Sequence, residues 1–316
     1  MTPARPGTFY TIAPERPFLD DLAAGIVARG ADPEALAATT VLLPTRRSCR
    51  ALRDAFLRVT EGRPTVLPRL LPLGDDDGDE IGLVGDGFDD DALGGDGALA
   101  IPPKIDPVRR LLVLAKMVRQ RPPPMGDDQA VRLSAELARL IDQAAIERRP
   151  LSQLATLVPD EFARHWGITL EFLRILTEKW PAILQDEGAI DPAERRNRLL
   201  DARAQMWRAN PPGHLVIAAG TTGSVPATAQ LLGVIAGLPE GAVVLPGFDR
   251  ALGPESLALL GPTHPQFGMA TLLAKLGVGA SAVRDWPQRV HEPATADRRA
   301  ALRMRLQFVA AAIDPP

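Results

Sequence analysis

A short apolar run, Thr39–Leu43 (TTVLL), stops at Pro44 and is followed at once by a helix-length segment, Arg46–Val59. A run that is apolar at every position suits a strand covered on both faces, the kind found in parallel sheets. Thr45 can cap the helix, and Cys49, Leu52, Phe56 and Val59 recur on one face of it at spacings of three and four. The same unit occurs elsewhere. Thr8–Ala13 reads as a strand, Phe18–Arg29 as a helix with Phe18, Leu22 and Ile26 on one side, and Thr65–Leu70 as a third strand. Much later come strand His214–Ala219, turn Gly220–Ser224, helix Pro226–Ala236 and strand Gly241–Leu245. Strand–helix alternation of this kind predicts an α/β fold with a parallel sheet.

The interval between these halves has a different character. Residues 74–104 are rich in Gly and Asp and end in a proline-bounded stretch. Residues 105–210 read as all helical: Asp106-Pro107 opens one helix through Arg119, and Gln129–Glu147 is a second. In Asp160–Leu184 a stripe of Phe162, Trp166, Leu170, Leu173, Leu176, Trp180 and Ile183 points to core packing. Ala193–Ala209 follows, with Asp191 as cap and Pro192 at the first helical position. The expected division is therefore an α/β part at 1–73, an acidic flexible loop at 74–104 and a helical insertion at 105–212. The α/β part resumes at 213–250, and a mixed, proline-broken segment fills 251–316. No internal repeat is visible.

Charge is unevenly spread. Residues 75–96 hold ten acidic side chains and no basic one; without them the chain has 36 basic against 29 acidic residues, a net of +7 in place of −3. The remainder suits a polyanionic partner, or is an ordinary surface beside a solvated acidic loop. The one cysteine, Cys49, excludes disulfides and cysteine-based metal clusters and fits a reducing cytoplasm. His165, His214, His264 and His291 share no metal-ligand spacing, no nucleophile–base set stands out, and no apolar run spans a membrane. No catalytic residue, metal or cofactor is assigned.

A phosphate loop needs glycines, a lysine and a hydroxyl between a strand and a helix. That place, after Thr8–Ala13, holds Pro14-Glu15-Arg16-Pro17, and the strand His214–Ala219 is not followed by an acid. The first segment reads as a degenerate nucleotide site. Pro44-Thr45-Arg46-Arg47-Ser48-Cys49-Arg50 is more suggestive. Thr45, Arg46, Arg47 and Arg50 gather at a helix start, where amides, dipole and guanidinium groups all favour phosphate oxygens. Its other reading is a solvated basic helix face. Gly220–Ser224, also before a helix, reads either as an ordinary capped turn or as a small-anion site.

The segments TIAPERPFLDDLA, VLLPTRRSCRALRDAFL, LPRLLPLGD, HWGITLEFLRILTEKWPAIL, GAIDPAERRNRLL and GAVVLPGFD occur in order. Together they resemble the N-terminal part of the alphaproteobacterial AddB family, subunits of the AddAB helicase–nuclease that processes double-strand DNA breaks. The resemblance runs to about residue 290, and the closing residues depart from it. It implies a helicase-like α/β domain of superfamily 1, P-loop-NTPase-like, with degenerate ATPase motifs and an all-helical insertion. Arg46, Arg47 and Arg50 fall where such domains place an early DNA-contacting motif. Family members are several times longer and carry a nuclease domain with an iron–sulfur cluster further on, so the chain reads as a fragment without either.

The expectation is a non-catalytic DNA-binding module. Its partners would be single-stranded DNA or a duplex end and an AddA-type motor subunit, in the cytoplasm and off the membrane. The alternatives are a stand-alone α/β enzyme taking a small anion at Gly220–Ser224, or a scaffold that only docks the motor. Purified protein is expected to show no DNA-stimulated ATP hydrolysis and no magnesium-ATP binding by calorimetry; turnover that is lost on mutating Glu15 or Arg16 contradicts this.

Overall fold

The computed structural model describes residues 8–30, 32–74, 101–119, 125–153, 175–288 and 290. Residues 75–100 of the expected acidic loop, most of helix Asp160–Leu184, His165, and the closing residues from His291 onward lie outside them. The helices are α1 (Phe18–Arg29), α2 (Pro33–Ala38), α3 (Arg46–Val59), α4 (Pro107–Arg119), α5 (Asp127–Ile146), α6 (Trp180–Asp186) and α7 (Pro192–Ala209), then α8 (Pro226–Gly237), α9 (Pro254–Ala258) and α10 (Phe267–Lys275). The chain forms two compact units. One contains residues 1–92, 203–224 and 228–316, and the other contains 93–202 with 225–227. The division cuts α7 between Ala202 and Arg203.

The first unit is an α/β sheet structure. Its strands are β1 (Phe9–Ile12), β2 (Thr40–Leu43), β3 (Arg69–Pro72), β4 (Val216–Ala219), β5 (Gly241–Pro246) and β6 (Arg284–Asp285). They form one six-stranded sheet in the order β3-β2-β4-β5-β1-β6, parallel throughout. Strands from both sides of the helical block thus share one ladder. From β1 the chain steps one way along the sheet, to β2 and β3; from β4 it steps the other way, to β5 and β6. Right-handed crossovers put the helices of the two halves on opposite faces. On one face α1, α2 and α3 bury Leu22, Ile26, Leu36, Leu52 and Phe56 against Ile12, Val41, Leu43, Ile217 and Val244. Alternate strand positions, Phe9, Leu42, Ala218, Val243 and Leu245, are buried as well, and α8 meets the end of α10 where a Cβ on Gly233 would lie 2.7 Å from Leu276. Burial on both faces explains why the strands are apolar at every position rather than at every second one.

Two expectations need correction. The third strand starts at Arg69, not Thr65. Pairing with β2 starts there: the amides of Arg69 and Leu73 donate to Thr39 and Leu43 at 2.9 and 2.6 Å. The two-residue period then turns the nitrogen of Pro72 to the outer edge, where no donor is needed. Thr65–Leu67, β-prone by composition, stays exposed. The second correction is β6, which no sequence pattern signalled. Its two residues are exposed, and the strand exists because the chain is tethered there by Trp286, whose amide donates to Thr11 at 2.9 Å.

The second unit is helical among the described residues, apart from one isolated parallel bridge between Lys104 and Ile190. Leu114, Val118, Leu137, Ile141, Leu176 and Trp180 form its core. Ile175–Lys179 is a π-helical turn leading into α6. Asp191, read as a helix cap, makes contacts beyond its own helix. It is buried, pairs with Arg110 at 2.9 Å and accepts from the indole of Trp180 at 2.9 Å. Arg110, also buried, reaches both carboxylate oxygens of Asp142 at 2.9 Å and the carbonyl of Ala138 at 3.3 Å. One guanidinium thus ties α4 to α5 and to the start of α7.

Burial raises the pKa of Asp191, outweighing the opposing pull of Arg110 and of the Trp180 hydrogen bond. A carboxyl group raised in the folded state favours folding when protonated. Its contribution is full below the unfolded value and is lost as pH rises through the folded one. Asp191→Asn keeps an acceptor for Trp180 but cannot titrate, so the stability advantage of the parent over this variant should widen as pH falls from 7 towards 4. Asp191→Ala should cost about 3 kcal/mol at pH 7, because it strips partners from a buried cation and a buried N–H. Urea unfolding at several pH values checks both.

Candidate nucleic-acid interface

In a parallel sheet every strand ends on the same rim, and the loops of neighbouring strands diverge where the chain reverses its direction of travel. Two such places exist here, between β1 and β5 and between β2 and β4. The arginine-rich segment lies at the second. Its local structure follows from its sequence. Thr45 adopts an extended conformation, and its hydroxyl accepts from the amide of Ser48 at 3.1 Å and meets the Ser48 hydroxyl at 2.9 Å. Cys49, Leu52, Ala55 and Phe56 are buried on the inner side of α3. Arg46 and Arg50, one turn apart, and Arg47, about 100° round the helix, flank that buried stripe; Arg46 is half-buried, and Arg47 and Arg50 are exposed. No acidic residue stands in the first turn of α3, so the positive end of the helix dipole and the arginines act in the same sense.

The turn after β4 lies beside this helix start. Gly220 has φ +74°, and a Cβ there would sit 3.4 Å from Phe18 and 3.6 Å from Pro44. The structure therefore brings Gly220 next to the Pro44–Thr45 corner. The turn uses its own donors, however. The amide of Gly220 donates to Val244 at 3.0 Å, and that of Gly223 to the Thr221 hydroxyl at 3.4 Å. Thr222 and Ser224 face each other through their hydroxyls at 3.4 Å.

The segment Pro14–Pro17 occupies the other reversal point. Glu15 is half-buried. Arg16 turns inward: its Nε lies 2.5 Å from the carboxylate of Asp21, and its terminal nitrogens donate to the carbonyls of Trp286, at 3.4 Å, and Gln288. Asp21 accepts in addition from the amide of Val290 at 2.7 Å. On the β5 side, the Thr11 hydroxyl accepts from the Phe248 amide at 2.9 Å, and Gln266 bridges the Gly247 carbonyl and the Asp249 amide at 2.8 and 3.1 Å. Asp21, Gln266 and Trp286 were not singled out by sequence. Trp286 and Val290 meet Asp21 from 265 and 269 residues further on, and no local pattern marks these contacts.

The opposite rim carries a cavity of about 590 Å³ lined by Arg29, Thr39, His214 and Glu240, among others. His214 meets the Thr40 hydroxyl at 3.2 Å, and burial, with a smaller effect of Arg69, lowers its pKa. Arg29 itself stacks over Tyr10 and Trp286 at 4.9 and 4.4 Å. Among the described residues no cluster of His, Cys, Asp and Glu has the arrangement to hold a metal ion, and no helix is long and apolar enough to cross a membrane. No family model, curated protein or solved structure matches this chain.

The Thr45 cap fixes the direction of the arginines. Thr45→Ala should lower stability by about 1 kcal/mol, whereas Thr45→Ser should lose only a small part of that, since either hydroxyl satisfies the Ser48 amide. Denaturant midpoints of the two variants check this.

Proposed function

We propose that this chain is a catalytically silent, helicase-like module that holds DNA by its backbone beside a motor subunit of the AddA type, during processing of double-strand breaks. The observation that carries this reading is the start of α3: three arginines on a Thr45-capped helix end, with no acid in the first turn, on the carboxyl rim of a parallel sheet. The sheet order is compatible with a P-loop-like α/β fold, which supports the resemblance of the sequence segments to the AddB family. Arg16 stands where a nucleotide-binding loop would place its phosphate contacts, and it is engaged by Asp21. That arrangement favours DNA holding over nucleotide turnover. The engaged amides of Gly220 and Gly223 likewise favour this reading over a small-anion enzyme centred on Gly220–Ser224.

Contacts of this type neutralise phosphates without reading bases. Three phosphates on single-stranded DNA correspond to a log–log salt slope of roughly −2 from this helix. Replacing Arg46, Arg47 and Arg50 together by Ala should weaken single-stranded DNA binding equally across sequences and flatten the slope by about that amount. The fold should survive, because the buried stripe of α3 is untouched. Fluorescence anisotropy at several salt concentrations measures both quantities. Unchanged affinity in the triple variant refutes the reading and favours a scaffold that docks the motor without touching DNA.

A further inference from the structure

The β1–α1 corner is covered by the residues that follow β6. Trp286 is a fixed anchor: it is 1% exposed, its amide and indole donate to Thr11 and Asp21 at 2.9 and 2.8 Å, and its ring meets Tyr10 edge-on at 5.2 Å. Gly25 is required beneath it, since a Cβ there would lie 2.2 Å from the indole nitrogen. Immediately beyond the anchor the character changes. Pro287 is exposed, and Gln288 and Val290 are half-buried. The Gln288 side-chain oxygen is buried without a hydrogen-bond partner, which disfavours the docked position. What holds these residues is a pair of side chains on the β1–α1 corner. Arg16 grips the carbonyls of Trp286 and Gln288, and Asp21 takes the amide of Val290. The two are joined as an ion pair, with Asp21 1% exposed and Arg16 12% exposed.

We propose that the Arg16–Asp21 pair is a latch that holds the backbone at Gln288 and Val290 across the end of β1 and the first turn of α1, with Trp286 as pivot. Breaking this one pair releases Gln288 and Val290 from the β1–α1 corner while the sheet stays intact. The two halves of the latch act together. Asp21 holds Val290 only while Arg16 neutralises and orients its carboxylate, so loss of Arg16 is transmitted to an amide that it does not touch.

Backbone hydrogen exchange in protein labelled with ¹⁵N-valine tests this. Val290 reports the latch, while Val216 and Val243, whose amides are bonded within the sheet at 2.8 and 2.9 Å, report the core. Arg16→Met should speed exchange at Val290 at least tenfold and leave Val216 and Val243 unchanged. Arg16→Lys, which keeps the charge but loses the forked donors, should fall between parent and Met variant. Unchanged protection at Val290 in Arg16→Met overturns the proposal. So does equal acceleration at all three valines, which would make the pair a requirement of global stability. Failure of both variants to fold has the same meaning.

Discussion

The pairing of β1 with β5 is the contact on which the rest of the sheet unit depends. It joins ends of the chain so distant that the Thr11 hydroxyl meets the carbonyl of Leu245, 234 residues further on. Closing such a loop costs entropy that no local interaction offsets. Four ladder positions between β1 and β5, backed by buried side chains on both faces, provide the compensation. A parallel sheet has no hairpins with which to start, so formation of this structure is dominated by non-local pairing.

That pairing also decides what the carboxyl rim looks like. With β1 between β5 and β6, the loop after β1 meets the loop after β5 and the residues after β6. Arg16, Asp21, Thr11 and Gln266 fill the space, each bonded to backbone from a different part of the chain. The second reversal point is built differently. Between β2 and β4 the neighbours are the Pro44–Thr45 corner and a glycine turn, with Arg46 of α3 half-buried and Arg47 and Arg50 exposed.

The two units handle buried charge by a common rule. Arg16 with Asp21 in one, and Arg110 with Asp142 and Asp191 in the other, join separate elements through a guanidinium whose donors also reach carbonyls. A forked cation suits this task, because it satisfies several acceptors at fixed geometry while sharing one charge. Desolvation is large for each such group, so these pairs define where elements meet more than they add net stability.

Local order was written in the residues. The apolar runs of β2, β4 and β5, the bounds of α1 and α3, and the Thr45 cap follow from periodicity and capping chemistry that act within a few residues. The buried face of α3, and hence the placement of Arg46, Arg47 and Arg50, was legible for the same reason. Tertiary structure decided the remainder. The start of β3 depended on which amides could reach β2, and β6 on Trp286 finding the gap above Gly25. Asp191 looked like a cap, yet its carboxylate also pairs with Arg110, far away in sequence. Arg16 looked like a residue spoiling a phosphate site, and only the fold shows it bound to Asp21 and to the backbone beyond β6. The Arg110 ion pairs and the edge strand β6 join residues far apart in sequence, and their partners exist only after the fold has brought distant segments together.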